Sequence, residues 1–95
     1  MKAVVVITDS AALPTFERAF VTDGGRGFTL IPDLLGSGKT GLKAGNRVHP
    51  GSSSLLLTVV PDGEIEETLA FVRRLRDQAG AAEGTKIYVL PAEEG

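Results

Sequence analysis

The chain has 95 residues, enough for one domain with one hydrophobic core. Hydrophobic residues make up 42% and charged residues 23%, a balance that excludes disorder as a description of the whole chain. Ten basic against twelve acidic residues leave a net charge of −2, which argues against a general nucleic-acid binder.

Residues 3–7, Ala-Val-Val-Val-Ile, are apolar and largely β-branched and read as a strand bounded by Asp9-Ser10. Ser10 is expected to cap a helix running to about Phe20, with Pro14 in the first turn, where its missing N–H costs little. Leu13, Phe16 and Phe20 then share one face, and Asp23-Gly24-Gly25 stops the helix. Residues 27–31 read as a second strand, with Pro32 at its end or at a bulge. Residues 36–54 show no periodicity and contain Gly36, Gly38, Gly41, Gly45 and Gly51. A loop of that length in a compact domain is uncommon unless it is functional. Residues 55–60 form the third strand, and Asp62 is expected to cap a second helix over about 63–79. Its apolar stripe is Ile65, Leu69, Val72 and Leu75, extended by Ala79. Glu64, Glu66 and Glu67 near its start and Arg73, Arg74 and Arg76 near its end complement the helix dipole, and Gly80 is a terminator. Residues 86–90 form the fourth strand, ended by Pro91.

The order β-α-β-β-α-β specifies an α+β, ferredoxin-like fold over residues 1–95, with two helices on one face of a four-stranded antiparallel sheet. The first and third strands are apolar at consecutive positions rather than alternating, which implies that both sheet faces are buried. Two helices cover only one of them, so self-association through the open face is expected.

The absence of Cys excludes disulfides, thiolate zinc sites and thiol nucleophiles. The single His, His49, is the one residue on which a Ser–His–Asp triad would have to rest, and no general base or nucleophile with a defined partner stands out. The expectation is a protein that is not an enzyme. Its longest uninterrupted apolar run is residues 3–7, far below the roughly 20 residues of a membrane span, and no small-residue cleavage pattern follows it. A cytoplasmic location is expected. Gly36-Ser37-Gly38-Lys39-Thr40 resembles the end of a phosphate-binding P-loop, but Asp33 stands where the first Gly of that motif belongs. Backbone N–H groups of Gly36, Ser37 and Gly38 beside Lys39 still suit a phosphate, just as they suit a simple turn with a solvated lysine. Residues 24–54 carry Arg26, Lys39, Lys43 and Arg47 against Asp33 alone, a net of +3, whereas residues 61–95 carry eight acids and four bases, a net of −4. A basic Gly-rich loop on an acidic body fits an anionic ligand or an acidic partner. RNA-recognition domains share the fold but display aromatic residues on their central strands, where this chain has only Tyr88 in the fourth strand.

Three segments resemble the PII signal-transduction family. Gly27-Phe28-Thr29 followed by Gly36-Ser37-Gly38-Lys39 is similar to that family's second strand and its G-F-G-[RQ]-type entry into the long T-loop. Val59-Val60-Pro61-Asp62 with the following helix resembles its third strand and second helix. Glu83-Gly84-Thr85-Lys86-Ile87-Tyr88-Val89-Leu90-Pro91 resembles its G-D-G-K-I-F-V-L-P segment, the most specific of the three. The resemblance implies a homotrimer packed through the open sheet faces, with ATP, ADP, AMP or cyclic AMP as effector in clefts between subunits. By position it places Ile7, Thr29 and Val59 around the adenine and brings Gly38, Lys39 and Lys86 to the phosphates, with Gly84 and Thr85 in the short loop before the last strand; Gly36 and Ser37, with their backbone N–H groups, complete the expected nucleotide-binding set. It implies that the 36–54 loop, with Lys43, Asn46, Arg47 and His49, grips a regulated transporter or enzyme. The chain departs from the family's pattern before the last strand, where Glu83 puts an acid near the phosphates. It also has Leu57 at the position of the acid that reads adenine, an acidic Glu93-Glu94 end in place of a basic tail, and no Tyr in the loop.

The function expected is therefore that of a divergent PII-like regulator, binding an adenine nucleotide or another small anion and acting on a partner through the loop. The alternative is a trimeric metal-binding protein of the cation-tolerance type, which shares the fold and would lean on His49.

Overall fold

A computed structural model describes residues 1–23, 27–34, 36–38, 41–43 and 52–95. Strand β1 (Lys2–Asp9) leads through a 3-10 turn (Ser10–Ala12) into helix α1 (Leu13–Asp23). Strand β2 (Thr29–Leu34) is followed by two short strands, β3 (Gly36–Gly38) and β4 (Gly41–Lys43), and then by β5 (Ser53–Val60). A second 3-10 turn (Asp62–Glu64) opens helix α2 (Ile65–Gln78), and β6 (Lys86–Pro91) closes the chain's fold. The main sheet has the order β2-β5-β1-β6 with antiparallel neighbours throughout. The expected βαββαβ, ferredoxin-like arrangement is present, with β3 and β4 paired as a separate two-stranded ribbon inside the segment that showed no periodicity. That segment also ends earlier than its sequence suggests, because β5 already begins at Ser53.

One face of the sheet carries the core. Val4, Val6 and Thr8 of β1 and Ser54, Leu56, Thr58 and Val60 of β5 are buried, alternating with less covered neighbours as the pleat requires. Phe16 and Phe20 of α1 and Thr68, Val72 and Leu75 of α2 close over them. Phe20 meets Phe28 edge-on at 5.5 Å and Phe71 at 5.2 Å between ring centroids, so one aromatic cluster ties both helices to the start of β2. The α2 stripe holds as read, with Ile65, Leu69 and Ala79 packed at the edge of the core.

The other face is apolar and is not covered by the described residues. Register puts Ala3, Val59 and Leu90 in one row, Val5, Leu57, Tyr88 and Thr29 in the next, and Ile7, Leu55, Lys86 and Ile31 in a third. Ile31, Val59, Tyr88 and Leu90 are 45 to 52% exposed. Burial therefore alternates along β1 and β5 in a single chain, although their sequences do not, because both helices lie on the same side.

Two caps differ from the sequence reading. Ser10 does not cap α1: its hydroxyl turns to Ser52 and Ser54, and the chain enters α1 through the 3-10 turn. Asp62 does not cap α2 either. Its carboxylate pairs with the Met1 ammonium at 3.0 Å, and Glu64, the residue at the N-cap position of α2, makes no side-chain capping bond. The opposite end of α2 is as expected. Gly80, at φ 65°, donates to the Asp77 carbonyl and Ala81 N–H to the Arg76 carbonyl, the paired bonds of a Schellman stop, with Ala81 buried in the core. Pro32 falls at a register shift between Ile31 and Leu34, on the edge strand, where a residue without an N–H breaks no ladder bond.

Candidate functional site

The antiparallel register brings four strand ends to one end of the sheet: the last residues of β1 and β2 and the first of β5 and β6. The 36–54 segment leaves from this end and returns to it. So does the turn that joins α2 to β6, which makes this sheet end the candidate site.

Short polar side chains fasten it together. Ser10 shares hydrogen bonds with Ser54 at 2.7 Å and Ser52 at 2.9 Å, and its N–H donates to the Ser52 carbonyl at 2.6 Å. Ser52 Oγ donates to Asp33 Oδ1 at 2.8 Å, and Asp33 N–H donates to Ser54 Oγ at 3.1 Å. Asp33 holds φ 56°, a left-handed conformation that Asp tolerates better than most residues, and these two bonds lock it at the bulge. The two stems of the 36–54 segment are thereby tied at their base. On the other side of β1, Thr8 and Thr85 share a buried hydroxyl–hydroxyl bond of 2.8 Å. Next to it the Asp9 carboxylate lies against Gly84 so closely that a methyl added there would sit 2.8 Å from Asp9 Cγ. Among the described residues no buried side-chain nitrogen or oxygen lacks a partner.

The expected site residues distribute as follows. Ile7 stands directly opposite Lys86 across the β1–β6 ladder, with Thr85 and Gly84 preceding it, so these four are brought together. Lys86 is exposed and Thr85 buried. Thr29 lies on the same open face, two strands away, opposite Leu57. Val59 also faces that side but pairs with Ala3, four residues beyond the Leu55 partner of Ile7. At about 3.3 Å per residue this separates it from Ile7 by roughly 13 Å within one chain. Gly36, Ser37 and Gly38 form β3, and Lys43 ends β4 opposite Gly36. Lys39, Asn46, Arg47 and His49 lie outside the described residues. Among those described, no group of three or more His, Cys, Asp or Glu is placed to hold a metal, and no helix is long and apolar enough to cross a membrane.

Sequence reasoning took Asp9 as a strand boundary and Asp33 as a break in a phosphate-loop motif and a lone acid, and gave Thr8, Ser52 and Ser54 no role. A signal exists in hindsight. Thr8 and Ser10 stand two residues apart at the end of one apolar strand, and the run Ser52-Ser53-Ser54 opens another with hydroxyls toward both faces, of which Ser54 pairs with Thr8. The described residues at this sheet end include the acids Asp9, Asp33 and Glu83 and the cation Lys86, with Lys43 at the end of β4 in the adjoining ribbon.

Among solved structures, the chain is similar to CPII, a nitrogen regulatory PII-like protein from Thiomonas intermedia K12, bound to ADP, AMP and bicarbonate. One structure of it aligns with a TM-score of 0.71 at 17% identity, covering 99% of this chain and 93% of that one. A second structure of CPII aligns with a TM-score of 0.56, also at 17% identity, over 98% and 88% of the two chains. At this identity the likeness speaks for the fold. A search of the curated proteins gives no match. A scan against protein-family models matches residues 1–94 to the nitrogen regulatory protein P-II family, and the sheet order, the open apolar face and the GTKIYVLP strand all agree with it: the chain belongs to that family.

Proposed function

We propose that the protein is a cytoplasmic, homotrimeric PII-like regulator. It binds an adenine nucleotide or another small anion at clefts between subunits and acts on a transporter or enzyme through its 36–54 segment. The observation that carries this reading is the convergence of Ile7, Gly84, Thr85 and Lys86 at the sheet end from which that segment departs. A ligand held there touches the base of the segment, so binding biases its conformation. The ADP and AMP bound by the similar CPII structures support the ligand class. The exposed Ile31, Val59, Tyr88 and Leu90 support self-association, because an apolar face of that kind is covered in the working molecule. Assembly also offers Val59 of one subunit a route to the neighbourhood of another subunit's Ile7, which a single chain does not provide.

Isothermal titration with ATP, ADP, AMP and cyclic AMP, on a sample whose oligomer mass is measured, tests the reading. Micromolar binding to a trimer, lost or weakened at least tenfold in Lys86→Ala, is expected. A monomer that binds none of the four nucleotides contradicts it.

A further inference from the structure

A row of short polar side chains runs across this end of the sheet, from the turn before β6 to β2. Thr85, directly before β6, shares a hydrogen bond of 2.8 Å with Thr8 of β1. Thr8 pairs across the β1–β5 ladder with Ser54, and both are buried with the core. Ser54 Oγ accepts the N–H of Asp33 in β2 at 3.1 Å and lies 2.7 Å from Ser10 Oγ. Ser52 bonds to both Ser10 and Asp33. One end of the row is therefore the turn that carries Gly84 and leads to Lys86, and the other is the base of the 36–54 segment. Its middle members, Thr8 and Ser54, are 1% and 0% exposed, so water does not stand ready to replace a partner that moves away. Residues directly opposite in an antiparallel pair have their side chains side by side on one face. A Thr8 hydroxyl that loses Thr85 thus faces the Ser54 hydroxyl, the group that holds the Asp33 N–H.

We propose that this row couples the Gly84–Lys86 turn to the base of the 36–54 segment, with Thr8 and Ser54 as the positioning residues between them. Two states differ in it. In one, as in the structure, Thr85 bonds Thr8 and Ser54 holds Asp33. In the other, Thr8 has lost Thr85 and competes for Ser54, and Asp33 and the stems beside it loosen. A ligand that fixes the turn favours the first state, a step that rests on the nucleotide reading above. By reciprocity, whatever closes the stems also steadies the turn.

The test is hydrogen exchange at the Asp33 and Ser10 amides, which donate to Ser54 Oγ and to the Ser52 carbonyl and so report closure of the row directly. Val4, paired on both sides in the middle of β1, reports general opening. Without ligand, Thr85→Val is expected to speed exchange at Asp33 and Ser10 by about fivefold or more beyond any change at Val4, the lower end of coupling between linked sites. Thr85→Ser keeps the hydroxyl and should restore the wild-type rates. Leu75→Ala weakens the helix-covered core outside the row and should act on Asp33 and Val4 alike. If Thr85→Val speeds Asp33 no more than Val4, the row carries no coupling. In wild type, whichever of AMP, ADP or ATP binds should slow exchange at Asp33, and Ser52→Ala, made at the far side of β1 from the turn, should weaken that binding. A nucleotide that binds without changing Asp33, and binds Ser52→Ala as tightly as wild type, overturns the inference. If none of the three binds while Thr85→Val still loosens Asp33, the nucleotide reading fails and the coupling stands.

Discussion

Gly84 is the residue at which a single added methyl is expected to do most. Asp9 Oδ2 and Cγ occupy the space a β-carbon would need, so Gly84→Ala must displace either the carboxylate or the turn. A loss of about 1–3 kcal/mol in denaturant unfolding is expected, the usual range for overpacking. The double variant Gly84→Ala with Asp9→Ala makes room again. Its stability should exceed the sum of the single effects by about 1 kcal/mol, and strict additivity would show that the two residues do not press on each other. Thr85→Val leaves the buried Thr8 hydroxyl without its partner and should cost about 1–3 kcal/mol, whereas Thr8→Val with Thr85→Val removes both ends and should recover much of that loss. Among the described residues, Asp62 is the one with a clear shift in acidity. The hydrogen bond and charge of the Met1 ammonium hold its carboxyl below the ordinary value. A carboxyl depressed on folding contributes stability that is present above its unfolded pKa and lost as pH falls through its folded one. Any acid-side change in stability traced to this pair should therefore appear below the ordinary carboxylate range and vanish in Asp62→Asn. Because Asp62 is fully exposed, the effect is small and salt-sensitive.

Among the elements, the helix stops and strand breaks were readable from local sequence. Gly80 ends α2 because only glycine adopts φ 65° without strain, and Gly80→Ala is expected to cost about 1 kcal/mol in thermal unfolding. An unchanged melting temperature would remove the backbone conformation as the reason for that residue. The α2 stripe was equally legible, since a helical period leaves little choice about which side faces the sheet. The helix starts were not. Ser10 and Asp62 have the right chemistry for N-caps, yet each found a stronger or nearer partner elsewhere in the fold, serine hydroxyls on β5 for one and the terminal ammonium for the other. Capping preference is a local quantity of about 1 kcal/mol, and a tertiary contact of similar size overrides it. The β3–β4 ribbon was invisible for a related reason. Gly-Ser-Gly has neither β-propensity nor alternation, so its pairing with residues 41–43 leaves no pattern to detect.

For the whole molecule, the open sheet face is the feature on which the proposed self-association rests. Tyr88→Asp and Val59→Asp each place a charge on that face while leaving the helix-covered core untouched. Both are expected to lower the oligomer mass and to weaken nucleotide binding in parallel, with the far-UV circular dichroism of the chain retained. Loss of assembly without loss of binding would move the ligand away from subunit clefts. The order of strands and helices and the family likeness in GTKIYVLP were carried by residue order, because periodicity and short motifs are local and survive in an unfolded string. The hydroxyl clasp linking Ser10, Asp33, Ser52 and Ser54, the seating of Asp9 on Gly84 and the distance between Val59 and Ile7 were not. Those depend on register between segments far apart in the chain, and register is decided only when the strands pair and the helices choose one face of the sheet to bury.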